Sequence, residues 1–320
     1  MAGAPVLTFA CAFSDRVEAL LDGRVAVEGF DLDVQIRQPQ AIFKAVLRDQ
    51  AFDLAEMSLG SHLAAVSAGD YGYVGLPIFL SRAFRHSNIY VRTDRVARPE
   101  DLAGKTIGVI DYQQTAGVWV RGLLADDYGV DRSSIHWVAG GLASPAGEGR
   151  AEPPPGVSIR RTSDTLDALL RAGEIDAITS PSAPPAFLAG DPRIARLFRE
   201  PRIAEADYYR RTGLFPLMHC LVARRRLVEA HPELPGALQA AFEAAHRLAA
   251  ADLDGRDYPK IALPWLPNAR QDALSRLGHD PWTHGLEANC AAIDALLRYG
   301  FADGLSDRLL TPDEMFAGRG

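Results

Sequence analysis

Residues 99–109 read PEDLAGKTIGV, and residues 173–178 read GEIDAI. In the first stretch a Pro and two acids open a turn, Gly104 breaks it, and Thr106–Ile110 follows as a strand. Asp111–Gln114 is a loop. A helix then starts near Thr115, with Val118, Trp119, Leu123 and Leu124 on its apolar side and Gly129 as its C-cap. In the second stretch Ile175–Ser180 forms another strand, which ends at a loop beginning Ser180-Pro181. A strand, a loop at its carboxyl end and a helix make up the repeating unit of an open α/β sheet.

The same rhythm runs outward in both directions. Val6–Ala12 reads as a strand, Gln40–Asp49 as a helix and Phe52–Glu56 as a strand. Ser58 stands as the N-cap of a helix carrying Leu59, Leu63 and Val66. The segment through Arg92 therefore reads β, α, β, α, β. Downstream, Val157–Arg160 is a strand, Asp164–Ala172 a helix and Leu221–Ala223 a strand. Leu234–Ala250 and Glu287–Arg298 are helices. Gly140–Gly156, rich in Gly, Pro and Ala, reads as an exposed loop. The expected class is α/β with mixed sheets.

His86 precedes the apolar run Ile89–Val91, and His219 precedes Leu221–Ala223. Each run ends in arginine. The two segments flank residues 93–218, as they would if the chain crossed into a second domain and returned. The expected division is a discontinuous first lobe of residues 1–90 and 220–320 and a second of 91–219. The hinges fall near 88–93 and 216–222.

Composition narrows the function. The 320 residues are 48% hydrophobic and 23% charged, with a net charge of −7. That balance argues against a nucleic-acid partner. No apolar run reaches the ~20 residues of a membrane span. The three cysteines, Cys11, Cys220 and Cys290, have neither disulfide-framework nor CxxC spacing, which fits a reducing compartment. Without a basic, long apolar leader, the expected location is the cytoplasm.

With GEIDAI, PEDLAGKTIGV resembles the second lobe of type II periplasmic binding proteins. Further stretches follow in order: AEMSLGSHL (55–63), RAFRHSNIYV (82–91), DYQQTAGVWVRGLLADDYGV (111–130), TGLFPLMHCLV (212–222) and GHDPWTHGLEANCAAIDALLRYG (278–300). Together they resemble the 4,5-dihydroxyphthalate decarboxylase family over nearly the whole chain. The resemblance implies a two-lobed fold with two crossover strands and an interlobe cleft. It also implies non-oxidative loss of CO2 from a hydroxylated aromatic dicarboxylate. The alternative is a solute-binding protein for an aromatic carboxylate, without catalysis.

Such a reaction needs an acid for ring carbon, a base for a phenol and anchors for anions. His86 and His219 are the expected proton-transfer pair, because imidazole titrates near neutrality. Glu56 is the third candidate, as a buried carboxylic acid with a raised pKa. Arg82 and Arg85 are the expected anchors, since a guanidinium fork matches a carboxylate. Ser58, Thr115 and the turn after Ser180 are expected helix N-termini that attract anions. Gln113, His62 and Trp282 complete the expected contacts. An arginine holding the departing carboxylate would stabilise the ground state, so the clamp is expected on the carboxylate that stays. No cofactor is expected. A divalent metal gathered by Glu56, His62, His86 and His219 is the less favoured reading, with no HxH or HExxH spacing behind it. The expected partners are the small aromatic acid and further copies of the chain in a homo-oligomer.

Overall fold

The computed structural model describes residues 4–69, 71–145, 157–255 and 260–317. Along the chain the elements are β1 (Val6–Cys11), α1 (Asp15–Leu21), β2 (Asp31–Ile36), α2 (Pro39–Asp49), β3 (Leu54–Ser58), α3 (Leu59–Ala68), β4 (Tyr73–Arg82), β5 (Ile89–Arg92), β6 (Thr106–Val109), α4 (Thr115–Tyr128), β7 (His136–Gly141), β8 (Ile159–Thr165), α5 (Leu166–Ala172), β9 (Ala177–Thr179), α6 (Pro185–Leu188), β10 (Ile194–Arg196), α7 (Pro201–Thr212), β11 (Leu217–Arg224), α8 (Arg225–Ala230), α9 (Leu234–Asp254), α10 (Leu266–Leu277), α11 (Cys290–Ala302) and α12 (Pro312–Met315). Short 3-10 turns span His86–Asn88 and Glu287–Asn289.

The chain divides into two units. One holds Met1–Arg82, Leu217–Ile293 and Thr311–Gly320; the other holds Ala83–Pro216 and Asp294–Leu310.

The first unit carries a five-stranded sheet in the order β2-β1-β3-β11-β4. β1 runs parallel to β2 and β3, while β11 is antiparallel to both β3 and β4. β3 is buried at every position, as a strand covered on both faces must be. The apolar core under this sheet includes Phe9, Leu54, Ile78, Leu221 and Phe242. β4 is an edge strand and tolerates Pro77 there. The C-terminal tail covers that edge, with the Ala317 N–H donating to the Gly75 carbonyl at 2.8 Å. Gly75 permits this approach, because a Cβ there would lie 2.6 Å from the Met315 carbonyl oxygen.

The second unit carries a six-stranded sheet in the order β10-β5-β9-β6-β7-β8. β6 runs parallel to β7 and β9, and β5 is antiparallel to β9 and β10. Ile89–Arg92, expected beside a crossing point, is thus a strand within this sheet. Inside the unit, Asp303 accepts from Arg121 Nε at 2.8 Å and from Arg132 Nη1 at 3.0 Å. Arg121 and Asp303 are each about 1% exposed.

Several boundaries differ from the sequence reading. β3 begins at Leu54 rather than Phe52, because Phe52 has φ 71° and cannot extend the strand. Gly140 and Gly141 end β7 instead of opening a loop. Residues 146–156 of that loop lie outside the described residues. β8 and α5 begin at Ile159 and Leu166, each two residues later than expected. His219 lies inside β11, which starts four residues before the expected strand.

Candidate active site

In the first unit the parallel strands β1 and β3 end side by side. Ligands of open α/β sheets gather at such carboxyl ends. Glu56 and Ser58 alternate onto one face of β3. Across the antiparallel ladder, His219 of β11 stands opposite Ser58, and Leu221 stands opposite Glu56. Register therefore puts Glu56, Ser58 and His219 on a common face. On its other side β11 slips register against β4 at Leu217/His219, His219/Cys220 and Cys220/Leu221. Such bulges re-aim a side chain. Here the irregularity is centred on His219.

The result is a close pair. His219 Nδ1 lies 2.6 Å from Glu56 Oε1. The other carboxylate oxygen accepts the Ala12 N–H, just beyond β1, at 2.8 Å. Glu56 is 4% exposed. Burial pushes its carboxyl up, but the His219 hydrogen bond and charge, the Ala12 N–H and the Arg16 charge outweigh it, leaving the pKa below the ordinary value. This corrects the expectation of a raised carboxylic acid at Glu56. The residue is an anion that holds His219.

The His219 side chain is 22% exposed. The Phe43 ring meets it edge-on at 5.0 Å between centroids. With Nδ1 engaged, Nε2 is the nitrogen left for a substrate. In a neutral ring hydrogen-bonded through Nδ1–H, Nε2 is a base. In the imidazolium it is an acid.

The remaining expected residues have other surroundings. His62 is fully buried, with Nε2 2.8 Å from the Met315 carbonyl oxygen and its ring beside Tyr71 and Phe316. Burial lowers its pKa to about 4. Arg82 is 7% exposed and donates Nη2 to the Thr283 carbonyl and to Asn289 Oδ1. It ties residues 283–289 to β4. Trp282 donates its indole N–H to the Phe79 carbonyl at 3.1 Å.

Arg85, His86, Gln113, Thr115 and Ser180 belong to the second unit. His86 is 1% exposed, packed edge-on against Phe198 and Tyr208, and both its ring nitrogens lack a partner. Burial lowers its pKa to about 4. These are the surroundings of a core histidine. Arg85 donates to Asn88 Oδ1 at 3.2 Å, and Asn88 Nδ2 donates to the Pro181 carbonyl at 3.2 Å. Asn88, Gln114, Gly117, Thr179 and Ser180 line a hollow of only ≈ 10 Å³. Thr115 is the first residue of α4, with Gln114 in the N-cap position. Gln113 donates its N–H to Asp111. No helix starts at Ser180, because α6 begins only at Pro185. Ser180 instead accepts the Ser182 N–H in a turn.

Two features of the first unit escaped the sequence reading. Ala12 contributes only a backbone N–H, which no motif announces. Arg16 follows β1 in FSDR (13–16), and its guanidinium lies over the Trp282 ring at 4.2 Å. Its position just past a strand's carboxyl end was the available signal. Among the described residues, no three His, Cys, Asp or Glu side chains are grouped to hold a metal ion, and no helix is long and apolar enough to cross a membrane.

Comparison with known proteins gives the fold and the family. The fold resembles a periplasmic sulfonate-binding protein, SsuA, of Methylobacillus flagellatus, with TM-score 0.60, 15% identity, and coverage of 99% of this chain and 92% of that one. A protein of Archaeoglobus fulgidus superposes with TM-score 0.54 at 13% identity, covering 94% and 98% of the two chains. The fold is therefore that of the periplasmic binding proteins. No family model matches the sequence. A 4,5-dihydroxyphthalate decarboxylase of Comamonas testosteroni is 41% identical over 318 residues, 97% of this chain and 96% of the relative. A second, of Pseudomonas putida, is 39% identical over 203 residues, 61% of this chain and 78% of the relative. At that identity over nearly its full length, the chain belongs to the 4,5-dihydroxyphthalate decarboxylase family.

Proposed function

We propose that the chain converts 4,5-dihydroxyphthalate to protocatechuate and CO2, with His219 taking part in the proton transfers. The observation that carries the mechanism is the 2.6 Å contact between His219 and a buried, ionised Glu56. The names of the two relatives support the substrate.

Direct loss of CO2 would leave an aryl anion. Protonating the ring carbon that bears the departing carboxylate avoids it. Ionisation of the hydroxyl para to that carbon supplies the electrons, giving a dienone. The C–C bond then breaks, its electrons re-form the aromatic ring, and the oxygen regains a proton. One proton enters at carbon, and no oxidant is consumed.

His219 suits this chemistry because Glu56 fixes its tautomer and steadies its imidazolium. Neutral, it takes a proton from the ring hydroxyl at Nε2; protonated, it delivers one. Glu56 is a positioning residue that acts through the imidazole. Phe43 beside the ring limits its orientation. The reading assigns a proton transfer to His219 and includes no metal. It also places the reaction in the cytoplasm, a location that the free cysteines Cys11, Cys220 and Cys290 suit.

The test is to incubate pure protein with 4,5-dihydroxyphthalate and to quantify CO2 and protocatechuate. Equimolar formation of both is expected. Tight binding with neither product would make the chain a solute-binding protein and overturn the reading.

A further inference from the structure

We infer that Arg16 is the anchor for the carboxylate that the substrate keeps, a role its surroundings fit and those of Arg82 do not. The inference rests on the reading of the substrate as an aromatic dicarboxylate.

Arg16 is held on three sides. Its Nε donates to the Leu80 carbonyl of β4 at 3.1 Å. Nη1 donates to Asp15 at 2.7 Å. The guanidinium plane lies 4.2 Å from the centre of the Trp282 ring. Trp282 is itself fixed, through its indole N–H to the Phe79 carbonyl and its backbone N–H to Asp280. Among the described residues Nη2 has no hydrogen-bond partner, and the side chain is 23% exposed. A guanidinium immobilised in this way loses little entropy when a carboxylate binds its open edge.

The location matches the proposed chemistry. Arg16 lies four residues after Ala12, whose N–H holds Glu56. Its charge also helps to keep the Glu56 carboxyl ionised. The charged and titratable groups around it are Asp15, Glu56 and His284. Asp15 takes up one face of its charge and Glu56 is occupied by His219, so the free N–H remains a donor for an anion. A positive group here attracts a dianionic substrate to the side of the site that holds the imidazole. Arg82, by contrast, spends Nη2 on Thr283 and Asn289. Its task is to hold the 283–289 segment.

The test is calorimetric and needs no turnover. Phthalate, which has both carboxylates and no hydroxyls, and catechol, which has hydroxyls and no carboxylate, are titrated into the whole chain and into Arg16→Met. Removing one partner of a hydrogen-bonded charge pair should weaken phthalate by about 10²-fold. Catechol should bind both proteins alike. Arg16→Lys should fall between them for phthalate, because it keeps the charge and loses the fork, and it serves as the test should Arg16→Met fail to fold. Arg82→Met should leave phthalate affinity per folded molecule unchanged while lowering the unfolding midpoint. Phthalate affinity unaltered in Arg16→Met, or equal losses for phthalate and catechol, would overturn the inference. Failure of the wild-type protein to release CO2 would overturn only the proposed reaction.

Discussion

Glu56 and His219 lie 163 residues apart in the chain and meet at 2.6 Å across two neighbouring antiparallel strands. The contact is set by the β3–β11 register and by the irregularity of β11 against β4 at His219. A carboxylate in this position stabilises the imidazolium and selects the tautomer. Glu56→Gln keeps the shape and removes the charge. Turnover should fall by roughly 10²- to 10⁴-fold, because an amide no longer selects the tautomer that the carboxylate fixes. The loss should fall on kcat with KM little changed, because the carboxylate acts through the imidazole and does not touch the substrate. A kcat equal to that of the wild type in steady-state kinetics would mean that Glu56 is merely structural.

Chelation separates proton chemistry from metal chemistry. Dialysis against a strong chelator is expected to leave the rate of CO2 release unchanged. Loss of activity that a divalent metal restores would contradict that expectation. It would also direct attention to ligands beyond the described residues.

The Asp303 carboxylate serves two arginines, Arg121 and Arg132, inside the second unit. Asp303→Ala would leave the buried Arg121 guanidinium without its counter-ion. The expected loss is about 3–5 kcal/mol of stability, as when a buried pair loses one partner. Urea denaturation of the variant measures it. A change within the scatter of surface substitutions would show that the pair matters little.

Acid should destabilise the fold in a defined window. Burial lowers His62 and His86 to about 4 and His284 to about 3. The unfolded chain therefore binds protons first, from about pH 6.5 downward. Stability should be greatest above that pH and fall as pH drops towards 4, by up to about 3 kcal/mol for each histidine. Glu56, whose folded pKa is also lowered, adds a further loss as pH falls through its folded value. The unfolding free energy is to be measured at pH 7 and pH 5, for the wild type and for His62→Gln. The difference between the two pH values should shrink in the variant. An equal difference would show that His62 does not titrate in this way.

Much of this was readable in the residues. The strand, loop and helix around Thr106–Tyr128 follow from apolar spacing and Gly129, and α9 starts at the expected Leu234. Glu56, at a strand's end, and His219, just ahead of an expected strand, were each identifiable as chemistry-bearing residues. Their pairing was not, because register between strands separated by about half the chain depends on tertiary packing. The direction of the Glu56 pKa was lost for the same reason: burial alone predicts a rise, and the groups that reverse it arrive from β1, α1 and β11. His86 looked like the equal of His219 because both precede apolar runs. The difference lies in the aromatic rings of Phe198 and Tyr208, which enclose His86 and have no counterpart in a local sequence window. Arg82 and Arg85 looked alike as arginines before a strand, while no local pattern singles out Arg16. What separates them is the set of carbonyls and rings that each one meets in the folded chain.

The most direct test of the central claim is the rate of CO2 release from 4,5-dihydroxyphthalate by His219→Gln at neutral pH. If His219 transfers a proton in the reaction, kcat should fall by roughly 10²- to 10⁴-fold with KM little changed. A kcat equal to that of the wild type would contradict the account.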